Sequence, residues 1–159
     1  MAHSASASRT WTFHAGDWHE GNIALWGPRT HAIWLGSSVF DGARAFDGVT
    51  PDIERHCRRV NDSAVKLGLK ALVPLDTWLG LVRDGVKRFG PRPELYIRPM
   101  YWGESGSALS VPADPDSTRW CLTMYDTPMP VPGSAAITLS SYRKPTLDTM
   151  PVDAKAGCL

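Results

Sequence analysis

Four side chains near the amino end, His14, Asp17, His19 and Glu20, are of the types that bind metal. They sit around a turn without the spacing of a zinc site, and a solvated hairpin accounts for them better. Motifs that cradle nucleotides, present a serine nucleophile or hold catalytic zinc are missing: there is no GxGxxG, GxxxxGK[ST], GxSxG or HExxH. Farther along, the pleat of a strand over Leu95-Tyr-Ile-Arg98 sends Tyr96 and Arg98 to one face. Residue type alone leaves them a core tyrosine and a surface cation. Lys155, close to the last residue of the sequence, reads by itself as a solvated amine.

Longer runs change that reading. The first is His31-Ala-Ile-Trp-Leu-Gly-Ser-Ser-Val-Phe-Asp-Gly-Ala-Arg-Ala-Phe46, followed by His56-Cys-Arg-Arg-Val-Asn-Asp-Ser-Ala64. The second is Leu95-Tyr-Ile-Arg-Pro99, and the third Ser140-Ser-Tyr-Arg143 with Met150-Pro-Val-Asp-Ala-Lys-Ala-Gly157. In this order the three resemble the Phe-Glu-Gly-x-Arg, Tyr-Ile-Arg-Pro and Pro-x-x-Ala-Lys runs of fold-type IV, pyridoxal-phosphate-dependent aminotransferases of the branched-chain type. The resemblance covers nearly all of the chain after residue 10, and its last motif places the end of the sequence just past the cofactor lysine.

This resemblance implies a role for several residues. Lys155 would hold pyridoxal 5'-phosphate covalently and move the proton of the substrate's Cα. Arg44 would bind the cofactor's phosphate through its planar fork of donors. Phe40 and Leu35 would form an apolar wall for the substrate side chain, with Tyr96 and Arg98 facing the substrate. The implied reaction is transamination between a branched-chain amino acid and 2-oxoglutarate, in a homodimer. D-amino acid or amine transamination, aminodeoxychorismate cleavage and a catalytically inactive small-domain fragment are the alternatives. Two departures matter: Leu35 stands where the family often has tyrosine, which removes a pocket hydroxyl and bears on substrate preference, and Asp41, a milder change, stands where it has glutamate. After Lys155 the usual Gly-Gly-Asn-Tyr gives way to Gly157-Cys158-Leu159.

These residues must be carried by an α+β fold. Trp11-Thr-Phe13 reads as a strand, Gly21-Asn22 as a hairpin turn between Trp18 and Ile23-Ala-Leu-Trp26, and Val39–Phe46 as a further strand. Ile53, Cys57, Val60, Ala64 and Leu67 recur at helical spacing, with Thr50-Pro51 as a candidate start. A second helix is expected from Asp76, as its cap, to about Phe89, with Leu79, Val82, Val86 and Phe89 inward. Strands return at Leu95–Trp102 and Arg119–Tyr125, joined by a long Gly-, Ser- and Pro-rich loop. The expected architecture is a small domain over 10–126, an antiparallel sheet backed by two helices. A proline-rich linker follows over 127–134, and a strand at Ala136–Ser140 opens residues 135–159, which the resemblance implies are the truncated start of a larger, barrel-like domain. Residues 1–9 read as a disordered tail.

Composition is consistent with this. A chain of 159 residues, 43% hydrophobic and 21% charged, can bury a core, and a net charge of +1 gives no basic excess to draw nucleic acid or an anionic membrane. Without a secretory leader or an apolar span, it is expected in the cytoplasm. Cys57, Cys121 and Cys158 are odd in number and widely spaced, as expected of reduced thiols. Seven tryptophans exceed what one small core absorbs, and some are expected at an interface.

Overall fold

The computed structural model describes residues 8–107, 111–133 and 135–157. Six strands form one antiparallel sheet: β1 (Thr10–His14), β2 (Asp17–Glu20), β3 (Ser38–Phe40), β4 (Ala43–Ala45), β5 (Leu95–Gly103) and β6 (Thr118–Asp126). Their order is β2-β1-β6-β5-β3, with β4 also paired to β5. Helices α2 (Ile53–Lys66) and α3 (Leu75–Lys87) lie between β4 and β5 in sequence, so the fold is the expected α+β arrangement. A five-residue helix, α1 (His31–Leu35), precedes β3 and is closed by Gly36 in the left-handed region.

Period-two burial along β5 assigns the faces. Leu95, Ile97 and Tyr101 are fully buried on the helix side, where Cys57, Val60, Ala64, Trp78 and Val82 meet them. Inside that layer, Asn61 Oδ1 accepts from both Trp78 Nε1 and the Tyr101 hydroxyl, at 3.0 and 2.9 Å. The hydroxyl in turn accepts from the Val73 amide, so the polar atoms of two fully buried rings are satisfied. Burial pushes the Tyr101 phenol up to about 12. The free thiols Cys57 and Cys121 are buried and pushed up by it to about 12 and 11, which makes them inert at neutral pH.

Several elements differ from their sequence expectation. The first hairpin turns at Ala15-Gly16, both at positive φ, and pairs His14 with Asp17; Ile23–Trp26 forms no strand after the Gly21-Asn22 turn. Val39–Phe46 is two strands, because Asp41 turns inward between them. Gly42 lets the Tyr96 hydroxyl approach closely, since a Cβ there would overlap it and displace the phenol. Asp52, at positive φ, precedes α2, with Thr50-Pro51 outside the helix. Asp76 lies within the first turn of α3, which follows Pro74, and Trp78 is its most deeply buried residue. Leu79, Val86 and Phe89 pack at the edge of the core. The long loop contains a 3-10 turn at Pro115–Ser117 and a bridge between Gly106 and Ala113. Ala136–Ser140 has strand-like alternation but forms no strand and is exposed, having no partner strand among the described residues. Arg9 donates to the Arg88 and Phe89 carbonyls, so the segment entering β1 is tied down. Residues 1–7 and Cys158 lie outside the described residues.

Candidate active site

The even-numbered side of β5 brings several of the expected site residues together. Tyr96, Arg98 and Met100 project away from the helices, and antiparallel pairing sets Arg44 opposite Tyr96, Phe40 opposite Met100, and Thr123 opposite Arg98. Arg98 lies over three aromatic rings, with its guanidinium carbon 5.0 Å from the centroid of Tyr96, 5.5 Å from Tyr125 and 5.8 Å from Phe40. Its Nη2 donates to the Tyr125 hydroxyl at 2.7 Å, while its Nε is buried without a partner among the described residues.

Lys155 reaches the same place from the other end of the sequence. Its carbonyl accepts from Phe40 N at 3.1 Å, and Gly157 N donates to Ser38 O at 2.8 Å, an antiparallel bridge on the free edge of β3. Its own amide donates to Ser63 Oγ of α2 at 3.0 Å, and Ala154 and Ala156 on either side are buried. With the backbone held at three points, Nζ stands 5.2 Å from the centroid of Phe40. Among the described residues this amine has no ion pair or hydrogen bond. Phe40 is therefore shared by the two cations.

Beneath Phe40, Asp41 is fully buried and accepts from Arg59, from His56 Nδ1 at 2.7 Å and from Gly42 N at 2.7 Å. Burial alone would raise its pKa, but the hydrogen bonds from Arg59, His56 and Gly42 outweigh it and hold the carboxyl below its usual value. The same bonds raise the Arg59 guanidinium. This cluster pins α2 to the β3–β4 junction that presents Phe40. His56 and Arg59 belong to the runs that carry the resemblance, which implied no part for them, and Asp41 stood out there only as a departure from glutamate. Ser63 and Tyr125 were missed as well, because a strand tyrosine and a helix serine carry no signal until their partners are known.

Two expected residues stand apart from this group. The Arg44 guanidinium donates to the Thr127 carbonyl and to Met129 Sδ, at the start of the proline-rich segment. Leu35, in the last turn of α1, is 41% exposed beside the exposed Ile33 and Trp34. A hollow of about 220 Å³ is lined by Ser8, Thr10, Asn22, Arg98, Thr123 and Tyr125, and a smaller one of about 130 Å³ adjoins it under Ile23–Trp26. A larger, open hollow of about 450 Å³ at Pro28, Arg29, Trp34, Ser105 and Gly106 shares no residue with the Lys155–Arg98 group, so its size does not make it the site. Among the described residues no cluster of three His, Cys, Asp or Glu side chains could hold a metal ion.

Residues 38–156 match the family described as amino-transferase class IV. The chain belongs to that family. The matched span begins at β3 and ends one residue past Lys155. A solved aminotransferase from Brucella abortus, bound to the cofactor PLP, is 47% identical, with a TM-score of 0.92 over 95% of this chain and 54% of its own. Among curated proteins, the branched-chain-amino-acid aminotransferase of Escherichia coli K12 is 26% identical over 156 residues, 88% of this chain and 50% of its own length. A probable branched-chain-amino-acid aminotransferase from Rickettsia typhi is 28% identical over 135 residues, 80% of this chain and 44% of its own. The solved branched-chain enzyme from Escherichia coli has the same fold, with a TM-score of 0.78 at 23% identity. This class IV chain thus spans about half the length of the relatives it matches.

Proposed function

We propose that this chain supplies the cofactor lysine and one wall of the substrate site in a pyridoxal-phosphate-dependent aminotransferase. The observation that carries the reading is the meeting of Lys155 Nζ and Arg98 over one Phe40 ring, from segments far apart in sequence. The residues present suit the cofactor: among the described residues the amine has no competing carboxylate, an aromatic surface lies beneath it, and the Nε atoms of Arg44 and Arg98 are buried without partners. Pyridoxal phosphate, when bound, supplies the electron sink that lets a Cα–H bond break. Lys155 then acts twice, holding the cofactor by its Nζ and taking the substrate's Cα proton on the same atom. The bridge to β3 and the bond to Ser63 fix the backbone from which that amine swings.

The substrates proposed are leucine, isoleucine or valine as donor and 2-oxoglutarate as acceptor. Phe40 offers an aliphatic side chain an apolar surface, and Arg98 offers a carboxylate a cation. Arg44 is the proposed phosphate ligand. A second reading gives that task to Arg59, because Ser63, one turn on in α2, holds the Lys155 amide; both arginines already have a partner, Arg59 in Asp41 and Arg44 in Thr127. Ile33, Trp34 and Leu35 are consecutive exposed apolar residues of α1, consistent with a homodimer contact, which would bring Leu35 to a partner's site. Residues 127–134 act as a linker and 135–159 as the first part of the larger cofactor-binding domain. No described helix is long and apolar enough to cross a membrane, and the proposed location is the cytoplasm.

Borohydride reduction followed by peptide mass analysis tests the central claim. The phosphopyridoxyl adduct is expected on Lys155, and an adduct on any other lysine would refute it.

A further inference from the structure

Ser63 lies on a helix face that is otherwise apolar. It is 1% exposed, and Cys57, Val60 and Ala64 beside it on α2 are fully buried. Serine is a weaker helix former than alanine, and a buried hydroxyl costs stability unless it is hydrogen-bonded. Its partner comes from the far end of the sequence: the Lys155 amide donates to Ser63 Oγ at 3.0 Å, across 92 residues. The side chains around this bond are small. Ala64 on the helix and Ala154 and Ala156 on the lysine segment are all buried, so no bulky group separates helix from main chain.

Residue 155 is thereby held on both sides of its Cα, the amide by Ser63 and the carbonyl by the Phe40 amide at 3.1 Å. With both peptide groups fixed, the direction of the Cα–Cβ bond is fixed too, and Nζ keeps only the rotations of its own side chain. Lys66, three residues on in α2, makes a second link to the same segment through Asp153. Those side chains are 43% and 54% exposed, so water screens that pair. The buried bond at Ser63 is the one that aims the lysine.

We infer that Ser63 is a positioning residue for proton transfer, keeping Nζ within reach of the substrate's Cα–H by holding the Lys155 amide. The inference rests on the aminotransferase reading and deepens it. In that step the C–H bond breaks, an N–H bond forms at Nζ, and the electron pair passes to the cofactor. A misplacement of about 1 Å can cost such a step about a hundredfold in rate. Cofactor attachment makes a weaker demand, because a flexible amine can form its covalent bond from a range of backbone positions. Both half-reactions use the same amine, so both depend on Ser63 alike.

The test compares Ser63→Ala, Ser63→Thr and Lys66→Ala in the complete protein. Amide hydrogen exchange is followed first, without cofactor. In Ser63→Ala the Lys155 amide is expected to exchange about tenfold faster, the scale of one lost hydrogen bond. The Gly157 amide, held by Ser38 O, should change less. With cofactor loaded, kcat should fall about tenfold in the glutamate and leucine half-reactions alike, while KM and cofactor content hold. The isotope effect from α-deuterated substrate should rise. Ser63→Thr keeps the hydroxyl and should lie nearer the wild type in both measurements, as should Lys66→Ala. Unchanged exchange at 155, or faster exchange with kcat unmoved, would overturn the inference and leave Lys155 its role. Equal acceleration at 155 and 157 would overturn it too, as the mark of a segment that has come loose as a whole. If Lys155→Ala itself keeps its turnover, the aminotransferase reading falls instead.

Discussion

Along β5, odd and even residues meet different surroundings. Leu95, Ile97 and Tyr101 are fully buried against α2 and α3, and the polar atoms among them are paired through Asn61. One residue over, Tyr96, Arg98 and Met100 are half-buried, Arg98 leaves Nε unpaired, and hollows open beside them. The closed face is held by burial and needs nothing further. Among the described residues the open face keeps unmet hydrogen-bonding capacity, which costs stability and suits the ligand proposed to meet it. Stability and the proposed function are thus separated by the pleat of a single strand.

Breaking the open face at Lys155 should produce the largest effect. Lys155→Ala in the complete protein is expected to lower turnover by at least about a thousandfold, since both the covalent hold and the proton carrier are removed. Its unfolding midpoint without cofactor should stay near that of the wild type, as checked by calorimetry. The closed face should respond in the opposite way. Trp78→Ala leaves a large cavity in the core and is expected to cost about 3–5 kcal/mol by denaturant titration. A loss under about 1 kcal/mol would mean that the core is looser than its burial indicates.

Asp41 joins the two faces, and its removal sharpens the comparison. Asp41→Ala is expected to cost about 3 kcal/mol, because a buried cluster loses the acceptor shared by Arg59, His56 and Gly42. The folded-state pKa of Asp41 is lowered, so its contribution is fully present above the unfolded value of about 3.9 and is lost as pH falls through the folded value. Denaturant midpoints followed from pH 7 down to 3 should decline less steeply in Asp41→Asn than in the wild type. Parallel curves would remove Asp41 as a source of acid sensitivity.

A smaller effect separates the two arginines. Loss of a charge-assisted pair to the phosphate should weaken cofactor retention by about 2–3 kcal/mol in Arg44→Ala, and by much less in Arg59→Ala. Equilibrium dialysis against pyridoxal phosphate reads this directly, and the reverse ranking would move the phosphate role to Arg59.

How much of this was legible in the sequence varied with the range of the forces involved. Leu95–Trp102 and Arg119–Tyr125 could be read as strands because period-two alternation is written into neighbouring residues. The Cys57–Val60–Ala64 stripe of α2 was legible for the same reason at helical spacing. The split of Val39–Phe46 was not, because it is set by Asp41 turning inward to His56 and Arg59, 15 and 18 residues away. Gly21-Asn22 carries a turn signal, yet the hairpin closes at Ala15-Gly16, where cross-strand pairing with β6 fixes the register of β1. In the site, the common face of Tyr96 and Arg98 followed from alternation alone. The hydrogen bond from Arg98 to Tyr125 did not, because it depends on the strand placed beside β5.

Gly42 has a consequence for how such a site can diversify. Any side chain at 42 overlaps the Tyr96 hydroxyl, and that phenol is itself packed against Tyr125. Positions 42 and 96 therefore form a single mutational unit. A Cβ at 42 requires the Tyr96 phenol to move or to shorten. Exploration of substrate range is thus coupled between the two positions, and the double replacement Gly42→Ala and Tyr96→Leu is expected to be better accepted than the first change alone.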